Sequence, residues 1–576
     1  MTGKRSFNSE NRETLVTKQD LTIMVILTTV FFLMAAYNLG STDVPVTSWK
    51  ASEDESFYID FGHFKNVSAI NILVKKADIV ILEVYYGSPG NWSGPVSIYI
   101  GSDYPIYYSL ERKNLNLNCT ALRFVFRFPC EIVEIAIMDE EDRVIPVAIE
   151  NIVLENDDYE ALKLFDEQNK IAYPSTYLSQ TYFDEIYSVR TAEEYIRFEE
   201  PYECVHPPLG KLIIAAGILI FGYSPFGWRI AGVIFATFMI PAIYVFGKIM
   251  FKTWIAAFIT AFLLIFEFMH FTMARIATTD TFLVFFSIMS HLFFFAYFNS
   301  IIHKKADNRL LFLAVLFFAL GFSTKWIIFS GFVGQISILI ALRLRELFVI
   351  DAGWNLKIKE FLKHPVLLIG VFIGIAAIIY LLTYIPYMII GHTLEDVYNQ
   401  QWAMYNYHRW LTASHPFSSP WWSWPIIQRP VWLYVSYLPQ GLVSTIVCMG
   451  NPAIWWFGIF CMGLLIVTIV EKTVRKKKVD FTSIFIVAIF LFQWLQYAFI
   501  SRCVFLYHFY SNVPFLILAI TYFLNKVWKI KYGKLGVSVY LIVVVVFFAL
   551  FYPVISGYPI PFKWRDNLRW FESWIF

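Results

Sequence analysis

Residues 227–247 read GWRIAGVIFATFMIPAIYVFG, with Arg229 near the start and Lys248 just past the end. A helix needs roughly 20 consecutive apolar residues to cross the hydrocarbon core of a bilayer, and this stretch supplies that length between two cations. Working outward, about eleven stretches meet the same criterion. They lie near 21–39, 227–247, 254–271, 280–301, 309–323, 326–343, 366–389, 453–471, 482–500, 510–525 and 535–555. No small-residue cleavage site follows the first, so it reads as a retained anchor. Composition agrees: 58% of the 576 residues are hydrophobic, 19% are aromatic and only 16% are charged. Soluble domains average roughly 45–50% apolar residues, so the excess calls for lipid as a second solvent. A net charge of +2 excludes a nucleic-acid binder by overall balance.

Lysine and arginine fix the expected orientation, because they accumulate in cytoplasmic loops. Lys4, Arg5, Arg12 and Lys18 precede the first span. Alternate loops then carry Lys248/Lys252, Lys304/Lys305/Arg309, Arg343/Arg345 with Lys357/Lys359, Lys472/Arg475–Lys478, and Lys526/Lys529/Lys531. Under an eleven-span count all of these lie inside, and two long segments lie outside. The expected organisation is a cytoplasmic N-terminus (1–20), a first transmembrane helix (21–40), an extracytoplasmic β-sandwich (41–153) and a first catalytic loop (154–225). Helices 2–7 (226–390), a substrate loop (391–451), helices 8–11 (452–556) and an outer tail (557–576) complete it.

In the β region, short runs rich in β-branched and aromatic residues alternate with turn residues. Examples are Phe57–Phe61, Ile70–Val74, Ile79–Val84 and Leu122–Phe126, with the turn Gly87-Ser88-Pro89-Gly90. That pattern predicts a sandwich. The stretches Thr47–Lys50, Phe57–Gly62 and Ile70–Ile72 resemble a discoidin-like jelly roll, which implies sugar or surface binding, or a spacer. Asn66, Asn91 and Asn118 open glycosylation sequons. Cys119 and Cys130 read either as a disulfide or as two buried thiols. Thr191 with Glu194 fits a capping box that would start a short helix. The apolar run 212–221 is too short to span and suits an interfacial or re-entrant segment.

Charges next to spans are costly and tend to be functional, the competing reading being interfacial snorkelling. Here Arg229, Arg275, Asp280, Lys325, Arg502 and His508 all fall at outer helix ends, on the side of the acidic pair Asp184-Glu185. Cations around a carboxylate suit an anionic, membrane-embedded substrate: arginine and lysine hold phosphate by charge-assisted hydrogen bonds, and a carboxylate can deprotonate a hydroxyl. No Walker loop, no DxD triplet and no CxxC or zinc spacing occurs. A lipid-linked phosphate donor and no metal or other cofactor are the expectation. The second outer segment adds His415, Trp421, Trp424, Arg429 and Trp432, which read either as an interfacial belt or as a substrate lid.

Taken in order, Phe183-Asp184-Glu185, His206-Pro-Pro-Leu-Gly-Lys211, Phe226-Gly-Trp-Arg229, Met269-His-Phe with Arg275-Ile-Ala and Asp280, Thr324-Lys325-Trp326, the 415–429 segment, and Arg502 with Phe505-Leu-Tyr-His508 resemble the protein O-mannosyltransferases, glycosyltransferase family 39. The resemblance runs over about residues 180–515. The β domain ahead of the acidic pair departs from the fungal and animal layout and looks like a bacterial branch. The resemblance implies a polytopic α-helical protein of the C-type glycosyltransferase fold. It also implies a polyprenyl-phosphate-mannose donor, a Ser/Thr acceptor on an exported protein, inversion at the anomeric carbon, and a plasma-membrane enzyme with its site outside (the ER membrane in a eukaryote). A dimer is an assembly it allows. In that reading Asp184 is the general base and Glu185 orients it. Arg229, Arg275, Lys325 and Arg502 hold the donor phosphate, and His206, Lys211, Asp280, His415, Trp421, Trp424, Arg429 and His508 position substrate. The alternatives are transfer from the same kind of donor to a lipid or wall polymer and, in another class, a transporter. Against the transporter, the charges gather at one face rather than at the bilayer midplane.

Overall fold

The computed structural model describes residues 16–303, 307–349 and 353–576; Lys4, Arg5, Arg12, Lys304 and Lys305 lie outside the described residues. Its helices are α1 (Lys18–Ala36), α2 (Glu185–Arg197), α3 (Leu209–Phe221), α4 (Pro225–Phe251), α5 (Trp254–Ile265), α6 (Phe268–Ala274), α7 (Asp280–Ile302), α8 (Asn308–Phe322), α9 (Phe329–Val349), α10 (Trp354–Thr383), α11 (Ile385–Ile389), α12 (Leu394–Trp410), α13 (Pro452–Val474), α14 (Phe481–Leu495), α15 (Val513–Val527), α16 (Gly533–Ser556) and α17 (Phe562–Asn567). Each of the eleven expected apolar stretches falls on a helix. Among the described residues, seven helical segments are long and apolar enough to cross a membrane, and α5 with α6, bent by 59°, makes an eighth. α3 and α8 are apolar but shorter, with 13 and 15 residues.

Local chemistry sets the helix starts. Thr17 and Asp20 form a capping box on α1, Thr393 and Asp396 another on α12, and the Ser224 hydroxyl accepts from Gly227 N ahead of Pro225 on α4. The box expected at Thr191 and Glu194 is absent. The helix begins earlier, at Glu185, after Phe183 takes a left-handed turn (φ 52°). Thr191 and Glu194 are instead buried mid-helix, accepting hydrogen bonds from the Glu203 and Tyr202 backbone N–H groups.

The β domain consists of β1 (Trp49–Ala51), β2 (Glu55–Ser88), β3 (Asn91–Phe126), β4 (Cys130–Met138) and β5 (Ile152–Leu154), all pairings antiparallel. The short runs expected from the sequence are joined into two very long strands, β2 and β3, that meet at the Gly87–Gly90 turn. Bulges bend them so that the sheet folds over itself: residues 55–60 pair with 121–126, and residues 82–87 return to the other side of 121–126. Phe57, Ile59, Ile72, Val74, Leu82, Leu122 and Phe124 alternate inward and fill the core. Cys119 and Cys130 are separate, buried, free thiols.

The other face of β2–β4 is buried too. Leu73, Tyr107 and Val133 point away from that core and pack with Val189, Ala192, Ile214 and Trp228 of α2, α3 and α4. Burial of a large apolar side chain is worth about 2 kcal/mol, so this contact is a firm one. The buried Lys75 ammonium donates to Glu193 of α2 at 2.7 Å and lies 4.0 Å over the Tyr223 ring; Lys76 pairs with Glu194 at 3.0 Å. The β domain is thus seated on the loop that carries Asp184. A second small sheet, β6 (Val431–Leu438), β7 (Leu442–Cys448) and β8 (Ile560–Pro561), buttresses the same loop, with Tyr434 edge-on to Tyr177 and Tyr182.

Candidate active site

Asp184 caps the start of α2 without spending its side chain there, and among the described residues none hydrogen-bonds to its carboxylate. Burial pushes that carboxyl up to about 7; Lys325 works against the rise, while Asp280 and Glu203 add to it. It faces a chamber of about 520 Å³ also lined by His206, Asp280, Lys325, His408, Arg502 and His508.

Most of these groups are placed by a break in helical structure, His408 on α12 being the exception. Lys325 sits just after α8, where its N–H caps Gly321 O, and its ammonium donates to both Asp280 carboxylate oxygens at 2.8 Å. Asp280 opens α7, where an acidic residue suits the positive helix end. Arg502 lies in the irregular stretch after α14, half-buried, with no hydrogen bond or ion pair to the chain among the described residues. The His206–Lys211 segment works as a joint. Leu209 N donates to Ser323 O, and Gly210 lies so close to Thr279 that an added Cβ would come within 2.5 Å of its methyl group. Lys211 donates to Glu203 and to the carbonyls of Glu203 and His206, which holds His206 against the chamber.

The chamber's positive charge comes from Lys325 and Arg502, set against the carboxylates of Asp280 and Glu203. Burial keeps His206 below its ordinary value, and drives His408 to about 4 and His508 to about 3. All three imidazoles are therefore neutral at pH 7. Burial works to raise the Glu203 carboxyl, but Lys211 and His206 outweigh it and hold it well below the usual range.

From the chamber a groove of about 800 Å³ runs between α7, α9 and α14. It shares His206, Asp280, Lys325, His408, Arg502, Tyr507 and His508 with the chamber; beyond them its walls are mainly apolar, with Leu283, Val284, Phe329, Val333, Leu491 and Leu495, interrupted by Ser330, Gln496 and Ser511. The arrangement is that of a site for an amphiphile, with two cations at the head and hydrocarbon walls along the tail.

Several sequence-derived candidates are not at this site. Arg229 is wholly buried and donates to both Glu185 oxygens at 2.7 Å and to the carbonyls of Leu39, Tyr177 and Gln180. Its whole donor fork is spent, so it has nothing left for phosphate. Glu185, equally buried, also accepts from Ala277 N and Tyr182 N; it fixes α2 to α4 and cannot orient a proton transfer by Asp184. Arg275 donates to the carbonyls of Ala35, Tyr37 and Asn38 and so closes the C-terminus of α1. Lys211 is spent within its own loop, as described. Trp424 is fully buried behind Tyr497 and His508, and Trp421 packs edge-on to Trp494 at 5.3 Å. Arg429 lines neither the chamber nor the groove. His415 lies on a different cavity, one that shares Asp184. Conversely, Glu203 and His408 line the chamber without being singled out by the sequence, as does Tyr507, present there only inside the Phe505–His508 piece. Glu203 closes an acidic run that reads as solvated surface, and His408 sits in a polar helix; nearness of Glu203 to the His206–Lys211 segment was the one usable signal.

The helices and this site define a polytopic membrane enzyme of the C-type glycosyltransferase fold. The structure of the S. cerevisiae protein O-mannosyltransferase Pmt1-Pmt2 complex bound to the sugar donor superposes with a TM-score of 0.59 at 12% identity, covering 69% of this chain and 89% of that one. The family description "Dolichyl-phosphate-mannose-protein mannosyltransferase" matches residues 224–390, and "C-terminal four TMM region of protein-O-mannosyltransferase" matches 393–574. The chain belongs to the protein O-mannosyltransferase family. It is 25% identical over 433 residues to the polyprenol-phosphate-mannose–protein mannosyltransferase of Mycolicibacterium smegmatis, covering 64% of this chain and 82% of that protein. The Corynebacterium glutamicum protein of the same name is 25% identical over 432 residues, covering 64% and 81%. The β domain precedes both family matches.

Proposed function

We propose that this protein transfers mannose from polyprenyl-phosphate-mannose to serine or threonine hydroxyls of exported polypeptides. The observation that carries the reading is Asp184: a carboxylate with no hydrogen-bond partner among the described residues, facing the same chamber as Lys325 and Arg502, at the mouth of a largely apolar groove. The isoprenoid tail lies in the groove and the phosphate meets Lys325 and Arg502. The acceptor Oγ bonds to mannose C1 as the C1–O bond to phosphate breaks, on the opposite face, so configuration inverts. The hydroxyl proton passes to Asp184, and the bonding pair leaves on polyprenyl phosphate. Charge growing on that phosphate is what Lys325 and Arg502 stabilise, with the neutral imidazoles as hydrogen-bonding company. Because the leaving group is met by side-chain cations, a divalent ion has no part in this step: EDTA leaves transfer unchanged, and loss reversed by added Mn²⁺ or Mg²⁺ would contradict this.

The chamber opens on the extracytoplasmic side of a bacterial plasma membrane. In support, Lys248, Lys252, Lys472 and Lys526 sit at the helix ends away from the chamber, where the positive-inside rule places cytoplasm. The test is incubation of the purified protein with labelled polyprenyl-phosphate mannose and a serine/threonine peptide. Label on the peptide is expected; label found only on lipid or polysaccharide acceptors would replace this reading.

A further inference from the structure

Asp184 lines a second cavity besides the chamber. This cleft, about 460 Å³, lies between the β domain and the catalytic loop. One wall is the 99–113 stretch of β3, with Tyr99, Tyr104 and Pro105; the other holds Phe183 and Tyr187, and His415 and Phe505 close one end. The two cations that face the chamber, Lys325 and Arg502, are not among its lining residues, and among the described side chains its charged groups besides Asp184 are Glu111 and Lys113, one of each sign. Asp184 therefore stands between two unlike spaces, one built for an anionic amphiphile and one for a near-neutral ligand.

We infer that the cleft holds the acceptor as an extended, near-neutral polypeptide segment, and that the β domain is the wall that reads it. The inference rests on the proposed mannosyl transfer. Inverting displacement brings the acceptor hydroxyl to C1 on the face away from the leaving phosphate, and the cleft reaches Asp184 without involving Lys325 or Arg502. An extended chain is the occupant that the wall fits. Residues 96–101 of β3 pair with β2 on one side only, so their other edge is open to backbone hydrogen bonding among the described residues. Tyr99 and Tyr104 stand 62% and 54% exposed at the rim, where their rings can lie against an extended backbone or proline. The wall is held rigidly. Tyr107 donates to Glu193 of α2, Thr181 Oγ1 donates to Tyr107 O at 2.5 Å, and Leu110 N donates to the Gln180 side chain at 3.1 Å. The β domain and the base thus move as one piece.

The test uses the full-length protein in detergent or nanodiscs and a fluorescein-labelled Thr-Ala-Pro repeat of about 15 residues, extended at roughly 3.3 Å each. Two readouts are taken: anisotropy without donor, and transfer to the repeat compared with transfer to a blocked single threonine. For Tyr99→Ala/Tyr104→Ala, both exposed positions, peptide binding weakens about tenfold, and the ratio of kcat/KM for the repeat to that for the single threonine falls by a similar factor, as loss of interface aromatics implies. Ser102→Trp, which crowds the rim, gives the same direction. Wild-type peptide affinity in both variants overturns the inference, as does an equal fall with both acceptors. If wild type transfers mannose to no peptide, the proposed function fails, and the anisotropy still decides the cleft: binding lost in the variants supports it, binding kept overturns it.

Discussion

Asp184 and Glu185 are adjacent in the chain and belong to different regions of the molecule. Glu185 sits in a closed knot, where Arg229 and two backbone N–H groups satisfy every lone pair that matters. Asp184 faces an open chamber with cations nearby and none bonded to it. The knot gains its strength from complete pairing; the chamber owes its reactivity to incomplete pairing. A saturated arginine–carboxylate pair resists change, whereas a desolvated carboxylate poised near neutrality can take and return a proton.

The largest effect should come from breaking the knot. Arg229→Met leaves Glu185 without its cation in a dry site, a loss of about 3–5 kcal/mol that is a large part of a typical folding free energy. Little folded protein is expected, read as a collapse of the monodisperse peak and of the thermal transition. Next comes the chamber's free cation. Arg502→Ala removes charge-assisted hydrogen bonds to the donor worth about 1.5–3 kcal/mol, so kcat/KM for polyprenyl-phosphate mannose falls roughly 10- to 150-fold while the melting temperature stays put. An equal loss of stability would move Arg502 into the knot's category.

The smallest effect is a pH dependence. The base must be ionised to accept a proton, so kcat/KM rises through about pH 7 and falls about tenfold per unit below it. The linkage has the opposite sign. A carboxyl raised on folding favours the folded state while it is protonated, and that contribution is lost as pH climbs from about 4 towards about 7. Asp184→Asn is therefore expected to melt no lower than wild type at pH 5 and higher than wild type at pH 8. A profile flat from pH 6 to 8 would speak against Asp184 as the titrating base.

Much of this contrast was readable in advance. The apolar runs and the β region follow from hydropathy and residue pattern, and the cost of charge beside lipid singles out Asp184, Asp280, Lys325, Arg502 and His508 together with Arg229 and Arg275; His206 enters through the family resemblance. What could not be read was saturation. Arg229, Arg275 and Lys211 carry the same charge at similar helix ends as Lys325 and Arg502, and they differ in how many backbone carbonyls, with a carboxylate for Arg229 and Lys211, the fold brings to them. Those carbonyls come from Leu39, Tyr177, Gln180, Ala35 and His206, residues whose side chains give no hint of the service. Trp424 misled for a related reason: an indole at a loop surface and one buried behind a histidine are written alike. The β domain's second buried face was hidden by the same ambiguity, since Leu73, Tyr107 and Val133 interleave with core positions on strands buried on both sides.

The most direct test sets the neighbours side by side: Asp184→Asn and Glu185→Gln in full-length protein, each assayed for mannose transfer to a serine/threonine peptide at pH 8 and for melting temperature. Asp184→Asn should lose at least about 100-fold in kcat, the usual yield of a positioned base, with its melting temperature kept or raised. Glu185→Gln should melt well below wild type, and the fraction still folded should turn over at a rate far nearer wild type. Near-normal transfer by Asp184→Asn, or an unchanged melting temperature in Glu185→Gln with activity abolished, would contradict the division of labour between the two carboxylates.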